Sequence, residues 1–389
     1  MANPLRELNE KYGQSVWYDN LNRDLLDSGR LQRLVDGDGV SGGTSNPSIF
    51  EKAVGAGNVY DDHLRQLVAQ GEGPAAVYDA LTVTDVQRSA DVFRPIYDRT
   101  HAADGYASLE VSPLIAGDTQ ASSDEARRLF RALNRPNAMI KIPGTPAGLP
   151  AVEQCLADGL NINITLLFGV ENYEQVARAY ISALEKRRAA GLPIDRTASV
   201  ASFFVSRVDT MVDDMLLQKI QAAGSDAERL RLRSLLGKAG IANARIAYQK
   251  YKDIFSGPRW QALAQAGARV QRCLWASTST KNPDYRDVMY VEGLIGPDTI
   301  NTLPQSTLDA FREHGRTAPT LEQDVEGAFD CIRRLEEAGI NFKTVTDELQ
   351  VQGVQLFSEA FQTANGTLRR KREAFLAEKE SGIRTSARE

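Results

Sequence analysis

The chain of 389 residues carries 46 Lys and Arg against 51 Asp and Glu, a net charge of −5, with 42% hydrophobic and 25% charged residues. This is ordinary globular usage: it excludes a disordered, collagen-like or coiled-coil chain, and the acidic balance has the wrong sign for a general nucleic-acid binder. No run approaches about 18 consecutive apolar residues, and the opening MANPLRELNEKYG lacks a signal peptide's apolar core, so a soluble cytoplasmic protein with no membrane partner is expected. The three cysteines, Cys155, Cys273 and Cys331, are widely spaced, form no CxxC pair and read as buried free thiols.

Along the chain, short segments rich in β-formers alternate with longer segments of helical periodicity, the signature of βα units and a parallel sheet. Eight strands are predicted, at 16–19, 40–46, 106–111, 138–142, 161–166, 198–204, 270–276 and 288–295. Start signals place helices from Ser122, from Glu171 and after Thr320, with Gly191 and Gly339 as stops for the last two. Residues 344–378 read as a C-terminal helix outside the sheet with a frayed tail, and its run Arg369, Arg370, Lys371, Arg372 reads as a solvated face, an anion patch being the alternative. No repeat or linker divides the chain, so the expectation is one domain over 1–389, with 305–389 as a helical extension packed on it. Eight βα units predict an α/β fold, a (β/α)8 TIM barrel with additional helices; a doubly wound open sheet is the alternative.

Side chains alternate across a strand, so the face of each residue can be counted. In AMIKIP, Ile140 and Ile142 share one face and Met139 and Lys141 the other; in SLEV, Leu109 and Val111 oppose Ser108 and Glu110. In NINITL, Ile162, Ile164 and Leu166 oppose Asn161, Asn163 and Thr165, while Asp19 and Asn46 end their strands at the parity of Trp17 and Thr44. If the apolar faces meet the helices, Asp19, Asn46, Glu110, Lys141, Asn163 and Thr165 project into one barrel mouth. A barrel interior holds branched apolar side chains, and unpaired charges are almost never buried, so this constellation points to chemistry.

Lys141 is its centre. Burial of an ammonium favours the neutral amine, the form that attacks a carbonyl to make a Schiff base. The structural alternative is an ion pair with Glu110 or Asp19. Glu110 is the candidate acid/base for carbinolamine dehydration, acting through a water held by Thr165. Asp19 is the candidate acceptor of a substrate hydroxyl proton, a helix cap being its alternative. Asn46, before Pro47, can bond substrate hydroxyls or cap a turn. Ser277, Thr278, Ser279, Thr280 and Lys281 offer hydroxyls, N–H groups and a cation suited to a phosphate, with Arg207 in reach of the same pocket. The sequence has no GxGxxG, GxxxxGK[ST], HExxH or GxSxG, and His63, His101 and His314 lack metal spacing.

The segments WYDNLNRDLL, GGTSNPSIF, SLEVSPLIAGDT, MIKIPGTPAGLPA, NINITLLF, ASFFVSRVD and WASTSTKNPDY, in this order, closely resemble those of the transaldolase family, above all its longer bacterial form. The resemblance implies a (β/α)8 barrel without metal or organic cofactor. It implies transfer of a dihydroxyacetone unit from sedoheptulose 7-phosphate or fructose 6-phosphate to glyceraldehyde 3-phosphate or erythrose 4-phosphate in the non-oxidative pentose phosphate pathway. Residue by residue, it gives Lys141 the Schiff base, Glu110 the acid/base role and Asp19 the deprotonation of the hydroxyl beside the bond that breaks. It gives Thr165 the positioning of the catalytic water, Asn46 and Ser202 the dihydroxyacetone hydroxyls, and Arg207 the phosphate. Asn163, Phe204, Ser277 and Lys281 complete the predicted substrate-binding set. One departure stands out: shorter members carry an arginine two residues after the serine of the seventh-strand loop, where this chain has Ser279, leaving Lys281 to replace the charge. Fructose 6-phosphate aldolase-like relatives place a glutamine and a tyrosine where this chain has Glu110 and Phe204, which favours transfer over cleavage; a non-catalytic sugar-phosphate-binding barrel is the remaining alternative. A homodimer is a possible assembly.

Overall fold

In the computed structural model, which describes residues 3–386 with side chains up to Glu378, eight parallel strands close into a barrel in chain order. They are β1 (Gln14–Asp19), β2 (Val40–Thr44), β3 (Ala107–Glu110), β4 (Ala138–Pro143), β5 (Ile162–Leu167), β6 (Ser199–Phe204), β7 (Arg272–Ala276) and β8 (Thr299–Leu303). The two strand faces divide as the alternation predicts, except that Leu166, expected on the face of Ile162 and Ile164, falls in the other cluster because its backbone is left-handed where the β5–β6 register shifts. Val16, Tyr18, Leu109, Ile140, Ile142, Ile162 and Ile164 join the core between sheet and helices, whereas Trp17, Met139, Val200, Leu274 and Ile300 belong to a second buried cluster. Trp17 has room because β2 has no side chain opposite it: a Cβ on Gly42 would lie 2.5 Å from the indole.

Residues 288–295, predicted as the eighth strand, are not one. Met289–Glu292 is a short helix, and β8 begins after Gly296 and Pro297, at Thr299. Val288, Val291, Leu294 and Ile295 are all fully buried, and their spacing of three and four is that of a helix face; a short apolar run bounded by turn residues does not itself distinguish buried strand from buried helix. The true strand, TINTL, is masked by its polar residues, of which Thr302 faces the pocket.

Helix starts also shift. The helix expected from Ser122 begins at Thr119, capped by Asp118. The one expected after Thr320 begins at Val325, because Asp324 caps Gly327 while Thr320 Oγ1 donates to the Glu292 carbonyl and Leu321 is buried. The C-terminal helix runs from Phe342 to Ser386. Two members of its basic run fasten it down: Lys371 Nζ donates to Asp61 Oδ1 at 2.7 Å and Arg372 Nε to the Glu72 carbonyl at 2.9 Å. The tail predicted to fray after 378 is helical as far as Ser386, and residues 387–389 lie outside the described residues. The three cysteines are free and buried, and no described helix is long and apolar enough to cross a membrane.

Candidate active site

The inward positions change character along the strands. Met139 is followed by Lys141, Trp17 by Asp19, Val200 by Ser202 and Ile300 by Thr302, so apolar filling gives way to polar groups at the carboxyl ends. Above them lies a cavity of 830 Å³ whose wall includes Asp19, Asn46, Lys141, Thr165, Ser202, Phe204, Arg207, Ser277 and Lys281. This is the end of the barrel where such folds build their sites.

Strand register sets the floor. Glu110 pairs with Lys141 across β3 and β4, and Lys141 with Asn163 across β4 and β5. Lys141 Nζ stands 3.2 Å from Glu110 Oε2, with the two side chains only 5% and 2% exposed, and donates to the Ser45 carbonyl at 3.2 Å. Burial raises the Glu110 carboxyl above its ordinary range, with Lys141 opposing. Among the described residues, Glu110 Oε1 and Thr165 Oγ1 are buried without a hydrogen-bond partner. Buried polar atoms are nearly always satisfied, and an unsatisfied carboxyl and hydroxyl beside a buried lysine suit a water that relays protons.

Asp19 does not cap the next helix; Asn22 does, accepting from the Leu25 amide. Asp19 Oδ1 instead accepts from Thr44 Oγ1 at 2.6 Å. Burial raises its carboxyl too, against Lys141, the Thr44 bond, Arg207 and Lys281. Asn46, expected to end β2, lies two residues beyond it and is a helix cap. Its Oδ1 caps the helix Pro47–Gly55 by accepting from Ile49 N at 3.0 Å, and the residue lines the cavity, where its amide N–H groups remain as donors. Asn163 and Glu110 are not on the cavity wall. Asn163 is fully buried, donating to Ser108 Oγ at 3.1 Å and accepting from Ser202 Oγ at 2.6 Å, so it braces Ser202.

The mouth is cationic. Arg207, at the start of the helix Ser206–Ala222, lies over the Phe204 ring at 5.4 Å, and its buried Nη1 has no partner among the described residues. Desolvation pulls its guanidinium below the ordinary range. Lys281 Nζ donates to Ser279 Oγ at 2.5 Å, and burial, then Arg207 and Lys52, hold its ammonium below the ordinary range. Ser277 takes a left-handed turn, φ 55°, with its Oγ 2.9 Å from Ser206 Oγ.

Sequence reading missed Lys52, Arg30 and Phe357, all on the cavity wall. Lys52 had a signal: Ser48, Lys52 and Ala56 line the cavity at i, i+4, i+8 from the Asn46 cap, one face of the helix that begins there. Phe357 had none, since it comes from the C-terminal helix, more than 150 residues downstream of Phe204.

Chemically, a buried amine lies at the floor with a carboxyl behind it, a second carboxylate stands beside them, hydroxyl and amide donors line the wall and several cations rim the mouth. That arrangement suits imine chemistry on a polyhydroxylated carbonyl compound with an anionic end.

Residues 16–368 match the family model described as Transaldolase/Fructose-6-phosphate aldolase. The chain is 48% identical over 373 residues to transaldolase 2 of Nostoc punctiforme, covering 95% of this chain and 98% of that protein. It is 46% identical over 352 residues to the transaldolase of Thiobacillus denitrificans, covering 90% and 96%. With the transaldolase of Thermobifida fusca it shares 44% identity over 363 residues, 93% and 96% of the two chains.

Proposed function

The chain belongs to the transaldolase/fructose-6-phosphate aldolase family, and from that premise we propose that it moves a dihydroxyacetone unit from a ketose phosphate to an aldose phosphate through an imine on Lys141. The observation that carries this reading is the Lys141–Glu110 pair, 3.2 Å apart and nearly inaccessible, with Lys141 on the wall of a polar cavity and Glu110 behind it. As an ion pair it is poorly reactive. Attack on a carbonyl needs the free amine, so a proton passes from Lys141 Nζ to Glu110, whose carboxyl burial raises.

Lys141 Nζ then attacks the C2 carbonyl of fructose 6-phosphate or sedoheptulose 7-phosphate. Glu110, through a water held by Thr165, supplies the proton with which the carbinolamine hydroxyl leaves. Asp19 takes the proton of the C4 hydroxyl, the C3–C4 bond breaks, and its electron pair enters the iminium to give an enamine while the aldose phosphate departs. The enamine attacks the carbonyl of the acceptor aldose phosphate, Asp19 returns the proton, and hydrolysis of the new imine releases the ketose. Asn46 and Ser202 orient the dihydroxyacetone hydroxyls, with Asn163 behind Ser202.

The phosphate falls to Arg207, Lys281 and Ser277, joined by Lys52 at the same rim. Lys281 lies on the loop where shorter family members carry their second arginine. Replacing it with Met is expected to raise KM for phosphorylated donors about tenfold with kcat within about twofold, the pattern of lost uniform binding. Steady-state kinetics with fructose 6-phosphate checks this.

The pH dependence follows from Asp19. A base must be ionised to act, and burial raises its carboxyl. Activity therefore grows as pH rises through the raised value, and the acid limb of kcat/KM is expected above the ordinary aspartate pKa of about 3.9. A pH–rate profile from about pH 4 to pH 8 measures it; an acid limb at or below the ordinary value would remove Asp19 from the role.

The test of the reaction class is a coupled assay for glyceraldehyde 3-phosphate from fructose 6-phosphate, with and without erythrose 4-phosphate. Transfer needs the acceptor. Equal production without it identifies an aldolase, and none in either case identifies a binding protein.

A further inference from the structure

The C-terminal helix Phe342–Ser386 reaches the barrel mouth through more than Phe357. Gln350 is buried, and its Nε2 donates to the Gly144 carbonyl at 3.0 Å and the Leu166 carbonyl at 3.1 Å. Both carbonyls lie next to the chemistry. Gly144 follows β4, which carries Lys141, and Leu166 follows Thr165 on β5. The two strand ends are also tied to each other, Gly144 N donating to the Thr165 carbonyl at 2.7 Å.

Leu166 needs holding. It has φ 59°, the left-handed region that a branched side chain rarely enters, and the β5–β6 register shifts between Ile164 and Leu167. Such a conformation persists where its surroundings over-determine it. The C-terminal helix does so twice: Gln350 bonds the Leu166 carbonyl, and Gly353 receives the Leu166 side chain, since a Cβ there would lie 2.9 Å from Leu166 Cδ2. Thr165 Oγ1 has no hydrogen-bond partner among the described residues, so the aim of that hydroxyl depends on the backbone on either side of it.

We propose that Gln350 is a positioning residue: by gripping the Gly144 and Leu166 carbonyls it holds Thr165 in register with Lys141, which makes the C-terminal helix part of the catalytic device. The proposal rests on the reading of Thr165 as holder of the proton-relaying water. It concerns imine formation and hydrolysis and leaves phosphate binding at the rim untouched.

The test is a double-mutant cycle in the full-length chain. Gln350→Met keeps length and removes the N–H donor; it is expected to lower kcat about tenfold with KM within about twofold. In the Thr165→Val background the same change is expected to alter kcat by less than about twofold, because the group it positions is gone. Wild-type kcat in Gln350→Met overturns the proposal, as does an equal loss in both backgrounds, the mark of a structural role. Full activity of Thr165→Val overturns the reading of Thr165 and the proposal together. Should Gln350→Met not fold, Gln350→Asn, which keeps the amide one methylene short, carries the same cycle.

Discussion

Replacing Lys141 with Met is expected to abolish turnover, with kcat falling by about 10⁴-fold or more, because no other group on the cavity floor can take the covalent role. Methionine matches lysine in length and enters a strand flanked by Met139, Ile140 and Ile142. The change strands Glu110 without its cation, and an unpaired buried charge would normally be severe. Here burial already lifts the Glu110 carboxyl, and removing the Lys141 cation that opposes this lift favours the protonated form further. The fold is therefore expected to survive, as a thermal melt and circular dichroism would show. The coupled assay reads the loss. Activity above about 1% of wild type in a folded Lys141→Met protein would contradict a lysine-bound intermediate.

Glu110→Gln is expected to lower kcat by about 10²- to 10³-fold, within the range of general acid–base catalysis. Glutamine keeps the shape but cannot give up a proton to the departing hydroxyl, nor take one from water when the imine is hydrolysed. The defect lies in making and breaking the imine, not in cleaving the C3–C4 bond. Rapid-quench experiments with reductive trapping should therefore find adduct appearing slowly, at a rate that matches the reduced turnover. A variant that formed adduct at the wild-type rate and still turned over slowly would place Glu110 at another step.

Both effects fall on residues whose position was legible from local sequence. Two-residue alternation put Lys141, Glu110, Thr165 and Asp19 on one face, and parallel pairing then brings Glu110 opposite Lys141. Polar positions at the ends of apolar strands are informative because a barrel interior tolerates them poorly. Where alternation was absent, reading failed. The run 288–295 is apolar on a helical spacing, and TINTL presents Thr302 inward and Asn301 to Thr278, so its polarity hides a strand. Lys52 was half visible, as a helix-face neighbour of Ser48. Phe357 and Gln350 were invisible, since nothing near them in sequence announces that a helix beginning at Phe342 will fold back over β4 and β5. Their contacts depend on pairings between residues about 200 positions apart.

The rim illustrates a different limit. The family resemblance implies an arginine in shorter members where this chain has Ser279, yet charge at a pocket is a sum over elements. Here Lys281 from the β7 loop, Arg207 after β6 and Lys52 from the helix after β2 converge on one cavity. A phosphate dianion met by several point charges loses the planar fork of a second guanidinium, so affinity is redistributed without moving the reacting centre.

The covalent mechanism is tested by borohydride reduction of the full-length protein in the presence of fructose 6-phosphate, followed by intact mass and peptide mapping. A single dihydroxyacetone-derived adduct is expected on the peptide that contains Lys141, absent when substrate is omitted and absent in Lys141→Met. No adduct under conditions where substrate binds, or an adduct on another lysine, would contradict the covalent mechanism.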